Sequence, residues 1–205
     1  MKRLIGIVAV SVAAALTVFG CAQMSSMYNS VTGWTTLIDG ETGLDNFNRI
    51  GGANWRAEDG AIVADKSTTK GASVLVSKQS FKDFELVAEF WAGEDTNSGI
   101  YFRAPDPNNV NTASGAYEAQ IWDKNPNAKY STGSLVNVAA VSGAIYKAGG
   151  RWNVYEIHAK GPQLTVKLNG VVTANVQHSK SLEGRIALQF NSGPIKFRKL
   201  MVKPL

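Results

Sequence analysis

Between Phe84 and Phe90 the chain reads FELVAEF, in which every second position is apolar and two glutamates lie between those positions. Successive side chains of a β-strand point to opposite faces, so Phe84 and Phe90 share one face. Glu85 and Glu89 share the other face. The pattern predicts a strand with one face in an apolar core and the other toward solvent.

Short runs of this kind recur after Gly33, and no long helical periodicity appears among them. Gly, Asn, Asp and Pro separate the runs, as is typical of turns. The pair Asn169-Gly170 indicates a tight hairpin, because both residues tolerate a positive φ. The sequence therefore predicts an all-β fold of two packed antiparallel sheets. The predicted strands are Ala61–Ala64, Ser73–Val76, Phe84–Trp91, Gly99–Arg103, Tyr117–Trp122, Asn153–Ala159, Gln163–Leu168, Arg185–Phe190 and Ile195–Val202.

Three of these strands carry polar or aromatic side chains on the face that alternation directs away from the core, and on the first of them these are Glu85 and Glu89. The other two strands add charged, amide and aromatic groups. These outward residues are Tyr101, Arg103, Glu118, Gln120 and Trp122. Aromatic rings cover the apolar faces of sugars, while charged and amide groups bind sugar hydroxyls. The combination favours a carbohydrate-binding surface, and the alternative is an ordinary solvated sheet face.

Residues 1–20 have the features of an export signal. Lys2 and Arg3 precede an apolar stretch that ends at Gly20. The stretch is marginal for a stable bilayer span, and no cluster of charges follows it. Cys21, the only cysteine, comes directly after Gly20, as in the lipobox of bacterial lipoproteins. We expect its thiol to be acylated, and the alternative is a stray thiol behind an ordinary signal.

The expected domain organisation follows from this leader. Residues 21–32 are predicted to be the lipidated cysteine and a flexible tether, and residues 33–205 the folded domain. Ala22 stands where inner-membrane lipoproteins carry Asp. We therefore expect a lipid-anchored protein of the cell envelope, held at the outer membrane and facing the periplasm or the cell surface.

The charge of the chain bears on its partners. The formal net charge is +5, and removing Lys2 and Arg3 with the leader lowers it to about +3. The remaining basic residues are scattered and form no concentrated stripe, so a nucleic-acid partner is not expected. A single cysteine leaves no intramolecular disulfide.

Several sequence blocks occur in a characteristic order. They are Gly33–Gly40, Trp55–Ile62, Phe81–Leu86, Asn97–Arg103, Tyr117–Asp123, Gly150–Asn153, Leu168–Gly170, Gly184–Gln189 and Phe197–Arg198. Their order and spacing resemble the 3-keto-disaccharide hydrolase domain, also described as a 3-keto-glycoside lyase/hydratase. The resemblance implies a concanavalin A-like jelly-roll β-sandwich that cleaves glycosides already oxidised at C3.

The chemistry implied by the resemblance needs few groups. A ketone at C3 acidifies the C2 proton, so a base can remove it while the C1 substituent leaves, and water then adds to the enone. This requires a general base, an electrophile for the enolate oxygen and an acid for the leaving group. It does not require the paired carboxylates of ordinary glycosidases.

Three residues are assigned to catalysis on this basis. Glu118 is the predicted base, and its alternative role is a structural carboxylate paired with Arg103. Arg103 is predicted to hold the enolate or a sugar hydroxyl through its planar guanidinium. Asp123 ends the same strand as Glu118, where a loop would aim it at ligand or metal, and its alternative role is a turn cap.

Further residues are predicted to bind the sugar. Amide groups would bind hydroxyls and indoles would stack on a ring, with burial in the core as the alternative for each tryptophan. These residues are Asn97, Tyr101, Gln120, Trp122, Trp152, Gln189 and Asn191. No cofactor is assigned. A divalent cation near Asn97 stays open because Glu94, Asp95 and Thr96 precede it, although the spacing matches no standard metal loop.

Departures from the family pattern keep two other functions open. The family often carries a His two residues after the late Gln, and this chain has Asn191 there. The aromatic expected after Leu135 is Val136. A non-catalytic carbohydrate-binding lipoprotein is therefore the main alternative to the 3-keto-glycoside enzyme, and a structural envelope lipoprotein is a third.

Overall fold

The computed structural model describes residues 33–144 and 146–205, which are all-β apart from two short 3₁₀ turns at Leu44–Asn46 and Ala128–Tyr130. The strands are β1 Thr35–Asp39, β2 Phe47–Ile50, β3 Arg56–Glu58, β4 Ala61–Ala64, β5 Ser73–Phe81, β6 Phe84–Ala92, β7 Asn97–Ala104, β8 Tyr117–Ile121, β9 Trp152–Lys160, β10 Gln163–Leu168, β11 Val171–Gln177, β12 Gly184–Ser192 and β13 Ile195–Pro204. The predicted leader, Cys21 and the tether lie outside the described residues. Over the described part of the chain, no helix has the length and apolar character needed to cross a bilayer.

The strands form two antiparallel sheets. The eight-stranded sheet has the order β11-β10-β9-β6-β13-β4-β3, and β1 also pairs with β13. The five-stranded sheet has the order β2-β5-β12-β7-β8. Asn169 and Gly170 have φ values of 51° and 80° in the β10–β11 turn, as the hairpin prediction requires. The predicted all-β fold of two antiparallel sheets is confirmed.

An aromatic core joins the two sheets. Along β6 burial alternates residue by residue, as the FELVAEF pattern predicts, and Phe84 and Phe90 are fully buried. The Phe84 ring lies edge-on to Phe102 of the five-stranded sheet, with ring centroids 6.1 Å apart. Phe102 in turn stacks on Tyr117 at 5.3 Å. Burying each such side chain stabilises the fold by about 1.5–3 kcal/mol.

A smaller apolar cluster covers part of the other face of the five-stranded sheet. Its strand residues include Val74 and Val76 of β5, Tyr101 of β7 and Ala187 of β12. Val110, from the connection between β7 and β8, packs against them. Because the connection lies on this face, polar side chains there are shielded from water.

The structure corrects the prediction for Arg103. The residue has a φ of 49°, and the pairing of β7 with β12 shifts register beside it, so the alternation seen at Tyr101 does not continue. The Arg103 side chain is fully buried. Its guanidinium donates to the carbonyl oxygens of Lys82 and Gly161 at 2.8 and 2.7 Å and to Asp83 Oδ1 at 2.9 Å. All three guanidinium nitrogens bind protein groups, so Arg103 stabilises the fold and is not a substrate ligand.

The ion pair between Arg103 and Asp83 leads to a prediction about the stability of the fold. Asp83→Ala leaves the buried Arg103 charge without its carboxylate, so we expect the free energy of unfolding to fall by about 3 kcal/mol. Asp95→Ala is the matched control, because its pair with Lys124 is largely exposed and is expected to contribute nothing measurable. Urea denaturation of both variants makes the comparison. Equal, small effects would contradict the structural role of Arg103.

Candidate functional site

Two cross-strand rows on the outward face of the five-stranded sheet position the candidate site. In one row β5, β12, β7 and β8 contribute Val76, Ala187, Tyr101 and Glu118. In the adjacent row the same strands contribute Val74, Gln189, Gly99 and Gln120. The face is therefore apolar toward β5 and polar toward β8.

Glu118, Tyr101 and Gln189 form one hydrogen-bonded group. Their exposed fractions are 6%, 4% and 6%. Gln189 Nε2 donates to the Tyr101 hydroxyl at 2.6 Å, and both the phenol and the amide hydrogen bond to the Glu118 carboxylate. The structure thus brings Glu118, the predicted base, together with Gln189 and Tyr101, two predicted sugar ligands, whereas Arg103 lies elsewhere.

Burial raises the pKa values of Glu118 and Tyr101. Desolvation raises the pKa of Glu118 to about 7, and the hydrogen bonds from Tyr101 and Gln189 offset only part of that effect. Burial, followed by the nearby Glu118 charge, raises the pKa of Tyr101, so its phenol stays protonated. The site thus holds a carboxyl that exchanges its proton near neutral pH beside a fixed hydroxyl donor.

Gly99 makes room for the carboxylate. A Cβ at this position would lie 2.7 Å from Glu118 Oε1 and 3.0 Å from its Cγ. Since Gly99 separates Gln189 from Gln120 in its row, the missing side chain creates the space that Glu118 occupies. A glycine inside a strand is a recognised sign of close approach, so Gly99 is the signal in the sequence from which this role could have been predicted.

Ser134 is a further candidate that sequence analysis overlooked. Ser134 O accepts from Gln120 N at 3.1 Å, and Val136 N donates to Glu118 O at 3.0 Å, so this segment extends the sheet beyond β8. Leu135 lies in the core, and alternation places Ser134 and Val136 on the Glu118 face. Ser134 Oγ and Gln189 Oε1 are buried and find no hydrogen-bond partner within the described residues. Buried polar atoms of this kind suit ligand hydroxyls.

Asp123 proves to be a loop anchor. Its Oδ1 accepts from the Thr132 hydroxyl at 2.6 Å and from Ala148 N at 3.0 Å, and its Oδ2 accepts from Gly149 N at 2.8 Å. These contacts tie two connections together rather than capping a local turn. They also occupy both oxygens, which argues against the predicted role of Asp123 in catalysis or metal binding.

Four other predicted sugar ligands lie on or beside strands of the five-stranded sheet. Gln120 is buried beside Gly99, and its Oε1 accepts from Ile121 N. Trp122 is half-buried at the end of β8. Asn97 is half-buried and pairs with Ser192, and Asn191 is exposed two residues after Gln189.

Trp152 requires a correction. It pairs with Trp91 on the outward face of the eight-stranded sheet, and the aromatic core separates that face from Glu118. The sequence left open whether the Trp152 indole stacks on a sugar ring or is buried in the core. Alternation carried no information about which sheet the strand joins, so Trp152 does not belong to the Glu118 site.

The described residues offer no obvious cation site. Across residues 33–144 and 146–205, no three His, Cys, Asp or Glu side chains come together as metal ligands. The divalent cation left open near Asn97 gains no support from this part of the chain.

Solved structures share this architecture. A candidate glycosyl hydrolase from Parabacteroides distasonis superposes with a TM-score of 0.74 at 18% identity, over 87% of this chain and 96% of its own. The carbohydrate-binding module CBM66 from Bacillus subtilis gives 0.53 at 16% identity, over 83% and 95%. A Bacillus subtilis protein of unknown function with a galectin-like fold gives 0.62 at 10% identity, over 81% and 92%. These likenesses concern the fold, and they confirm the predicted jelly-roll β-sandwich.

Fold and site together define a jelly-roll β-sandwich with a titratable carboxyl buried against its five-stranded sheet. Residues 33–203 match the 3-keto-alpha-glucoside-1,2-lyase-like domain, and the chain belongs to that family. The family predicted from the sequence blocks is thereby confirmed. No curated protein matches the sequence.

The pKa of Glu118 leads to a prediction about stability. The folded state holds this proton more tightly than the unfolded chain, whose carboxyl titrates near 4.5. The stabilisation is therefore present below pH 4.5 and is lost as the pH rises through about 7, a change on the order of 3 kcal/mol. Glu118→Gln removes this dependence, whereas Glu183→Gln, at an exposed carboxylate, keeps it. Denaturant unfolding across pH 4–8 measures the difference, and parallel curves for wild type and Glu118→Gln would refute the assignment.

Proposed function

We propose that this domain cleaves 3-keto-glycosides by elimination and hydration, with Glu118 as the base. The observation that carries the proposal is the buried Glu118 carboxyl, whose pKa of about 7 suits proton transfer at neutral pH. Family membership supports a substrate of the 3-keto-glucoside class.

Glu118 and Tyr101 have separate roles in the proposed reaction. Ionised Glu118 takes the C2 proton, the electron pair moves toward the C3 carbonyl, and the Tyr101 phenol donates to the enolate oxygen. The enolate then collapses, a C1–C2 double bond forms, and the C1–oxygen bond breaks. Protonated Glu118 returns its proton to the departing oxygen. Water adds across the enone, with its oxygen on C1 and a proton on C2, to give the free 3-keto-sugar.

The surrounding polar atoms support binding of the sugar. Gln189 Oε1 and Ser134 Oγ are buried acceptors on the Glu118 face, suited to two substrate hydroxyls. Val136, which neighbours Glu118 across the strand pair, lines a cavity of about 300 Å³ together with Asn137, His178 and Lys180. We assign this cavity to the leaving group.

Turnover tests the proposal directly. We expect the purified chain to release the second sugar from a 3-keto-disaccharide, with kcat/KM rising as the pH increases through about 7. Glu118→Gln is expected to lower kcat/KM by about 10²–10⁴-fold. Tyr101→Phe is expected to lower kcat and to move the pH profile to higher pH, because it removes a hydrogen bond that lowers the pKa of Glu118. Glu183→Gln leaves both unchanged. Absence of turnover by folded protein across pH 5–9, with and without divalent metals, would reject the proposal.

Carbohydrate binding without catalysis is the second candidate, and Asn191 is the observation that favours it. The side chain at this position cannot titrate, so it supplies no second acid–base group beside Glu118. The likeness to a carbohydrate-binding module is consistent with this function. Saturable binding of a 3-keto-disaccharide with no product, unaffected by Glu118→Gln, would favour the binding module.

We further propose that the chain is exported, acylated at Cys21 and held at the outer membrane. Support comes from Lys2 and Arg3, the apolar stretch ending at Gly20, and Ala22 after the cysteine. In a bacterial host fed radiolabelled palmitate, the wild-type chain should carry label and sediment with outer membranes. Cys21→Ser should do neither, and label retained by that variant would contradict acylation at Cys21.

A further inference from the structure

A pair of tryptophans lies on the outward face of the eight-stranded sheet. Trp91 of β6 and Trp152 of β9 are direct cross-strand partners. Trp91 stands between Phe90 and Ala92, which are both buried, so its own side chain points away from the core. Both indoles are half-buried and keep part of their surface in water.

Each indole has a cation over its ring. Lys196 Nζ lies 5.8 Å from the centroid of the Trp91 ring, and the Arg198 guanidinium carbon lies 4.2 Å from the centroid of the Trp152 ring. Lys196 also pairs with Trp91 in the strand register. Such contacts hold the rings in fixed orientations, which lowers the entropy that a ligand must remove on binding.

The charges around the pair are balanced. Arg198 Nε lies 2.5 Å from Glu89 Oε2, and Lys196 Nζ lies 4.0 Å from Asp59 Oδ2. The two cations over the rings are thus each paired with a carboxylate, which weakens their attraction for an acidic polymer or an anionic bilayer. An uncharged ligand fits this arrangement better.

The surface is also unlike a protein-docking patch. Among the described residues, the exposed large apolar side chains are Val171, Val172, Leu182 and Leu205, and none of them adjoins the tryptophan pair in the strand register. Stable protein interfaces need a contiguous apolar centre. Two indoles framed by ion pairs supply instead planar surfaces with hydrogen-bonding groups at their edges.

We infer that Trp91, Trp152, Arg198 and Glu89 form a second carbohydrate-binding surface, which takes a neutral polysaccharide chain. The indole surface that the cations leave open to water packs against the apolar faces of pyranose rings, and the guanidinium and carboxylate bind hydroxyls. Paired strands hold their residues about 5 Å apart, so the two rings contact neighbouring parts of one glycan. The surface lies on the opposite sheet from Glu118, so it retains a polymer at the protein without occupying the buried site.

Pull-down on insoluble glycans tests this inference with the full chain. Cellulose and starch granules serve as neutral probes, alginate gel as an acidic one, and anionic phospholipid vesicles as a membrane. We expect retention on at least one neutral glucan, and a roughly tenfold or greater loss of affinity in Trp91→Ala and in Trp152→Ala. Trp152→Phe should restore part of the affinity, and Val172→Ala, on β11 of the same sheet, is the matched control.

The outcomes separate this surface from the Glu118 site. Retention on a neutral glucan should be unchanged in Glu118→Gln, and turnover of a small 3-keto-disaccharide should be unchanged in Trp152→Ala. If the wild type turns over substrate but binds no neutral glucan, the second surface is rejected and the proposed function stands. Retention equal in wild type and in the Trp91→Ala/Trp152→Ala double variant, or confined to alginate or vesicles, also rejects it.

Discussion

The contact between Phe84 and Phe102 links the two sheets, and the orientation of the neighbouring side chains depends on it. The rings come from β6 and β7, on opposite sheets, with centroids 6.1 Å apart. Once Phe102 faces inward, the strict alternation of an extended strand turns Tyr101 outward, where it meets Glu118 across the strand pair. On β6 the same rule buries Phe90 and exposes Trp91. Core packing between the sheets thus fixes the two outward faces on which the proposed functions depend.

Alternation made most of the sandwich predictable from sequence, and the elements it overlooked lack that signal. β3, Arg56–Glu58, has three residues, two of them charged, and lies at a sheet edge where little is buried. β11, Val171–Gln177, has an irregular burial pattern because its pairing with β10 shifts register at Lys167. Both strands pair through tight turns with a more regular neighbour, β3 with β4 and β11 with β10. Their own burial patterns are too short or too irregular to indicate a strand, so the pairing with that neighbour decides their structure.

The candidate site was also predictable only where its residues lie on regular strands. Glu118, Tyr101 and Gln189 lie on regular strands, where the two-residue period assigns their face correctly. Arg103 lies beside a register shift and adopts a positive φ, which is uncommon for a side chain of its size. Ser134 belongs to a segment that pairs with β8 only after an irregular connection. These two errors therefore arise where the backbone departs from a regular strand, whereas the error for Trp152 arises because alternation does not show which sheet a strand joins.

Because Arg103 binds Asp83 and not Glu118, the pKa of Glu118 is not lowered by a cation. Had the guanidinium paired with Glu118, which is one interpretation of the sequence, the cation would have lowered the pKa of that carboxyl. Arg103 instead binds Asp83 and two backbone carbonyls, and Glu118 keeps only neutral donors, the Tyr101 phenol and the Gln189 amide. Neutral donors orient the carboxylate without cancelling the effect of its burial. A carboxyl held in this way destabilises the fold whenever it ionises, and it gains in return the basicity that abstraction of a proton beside a ketone requires.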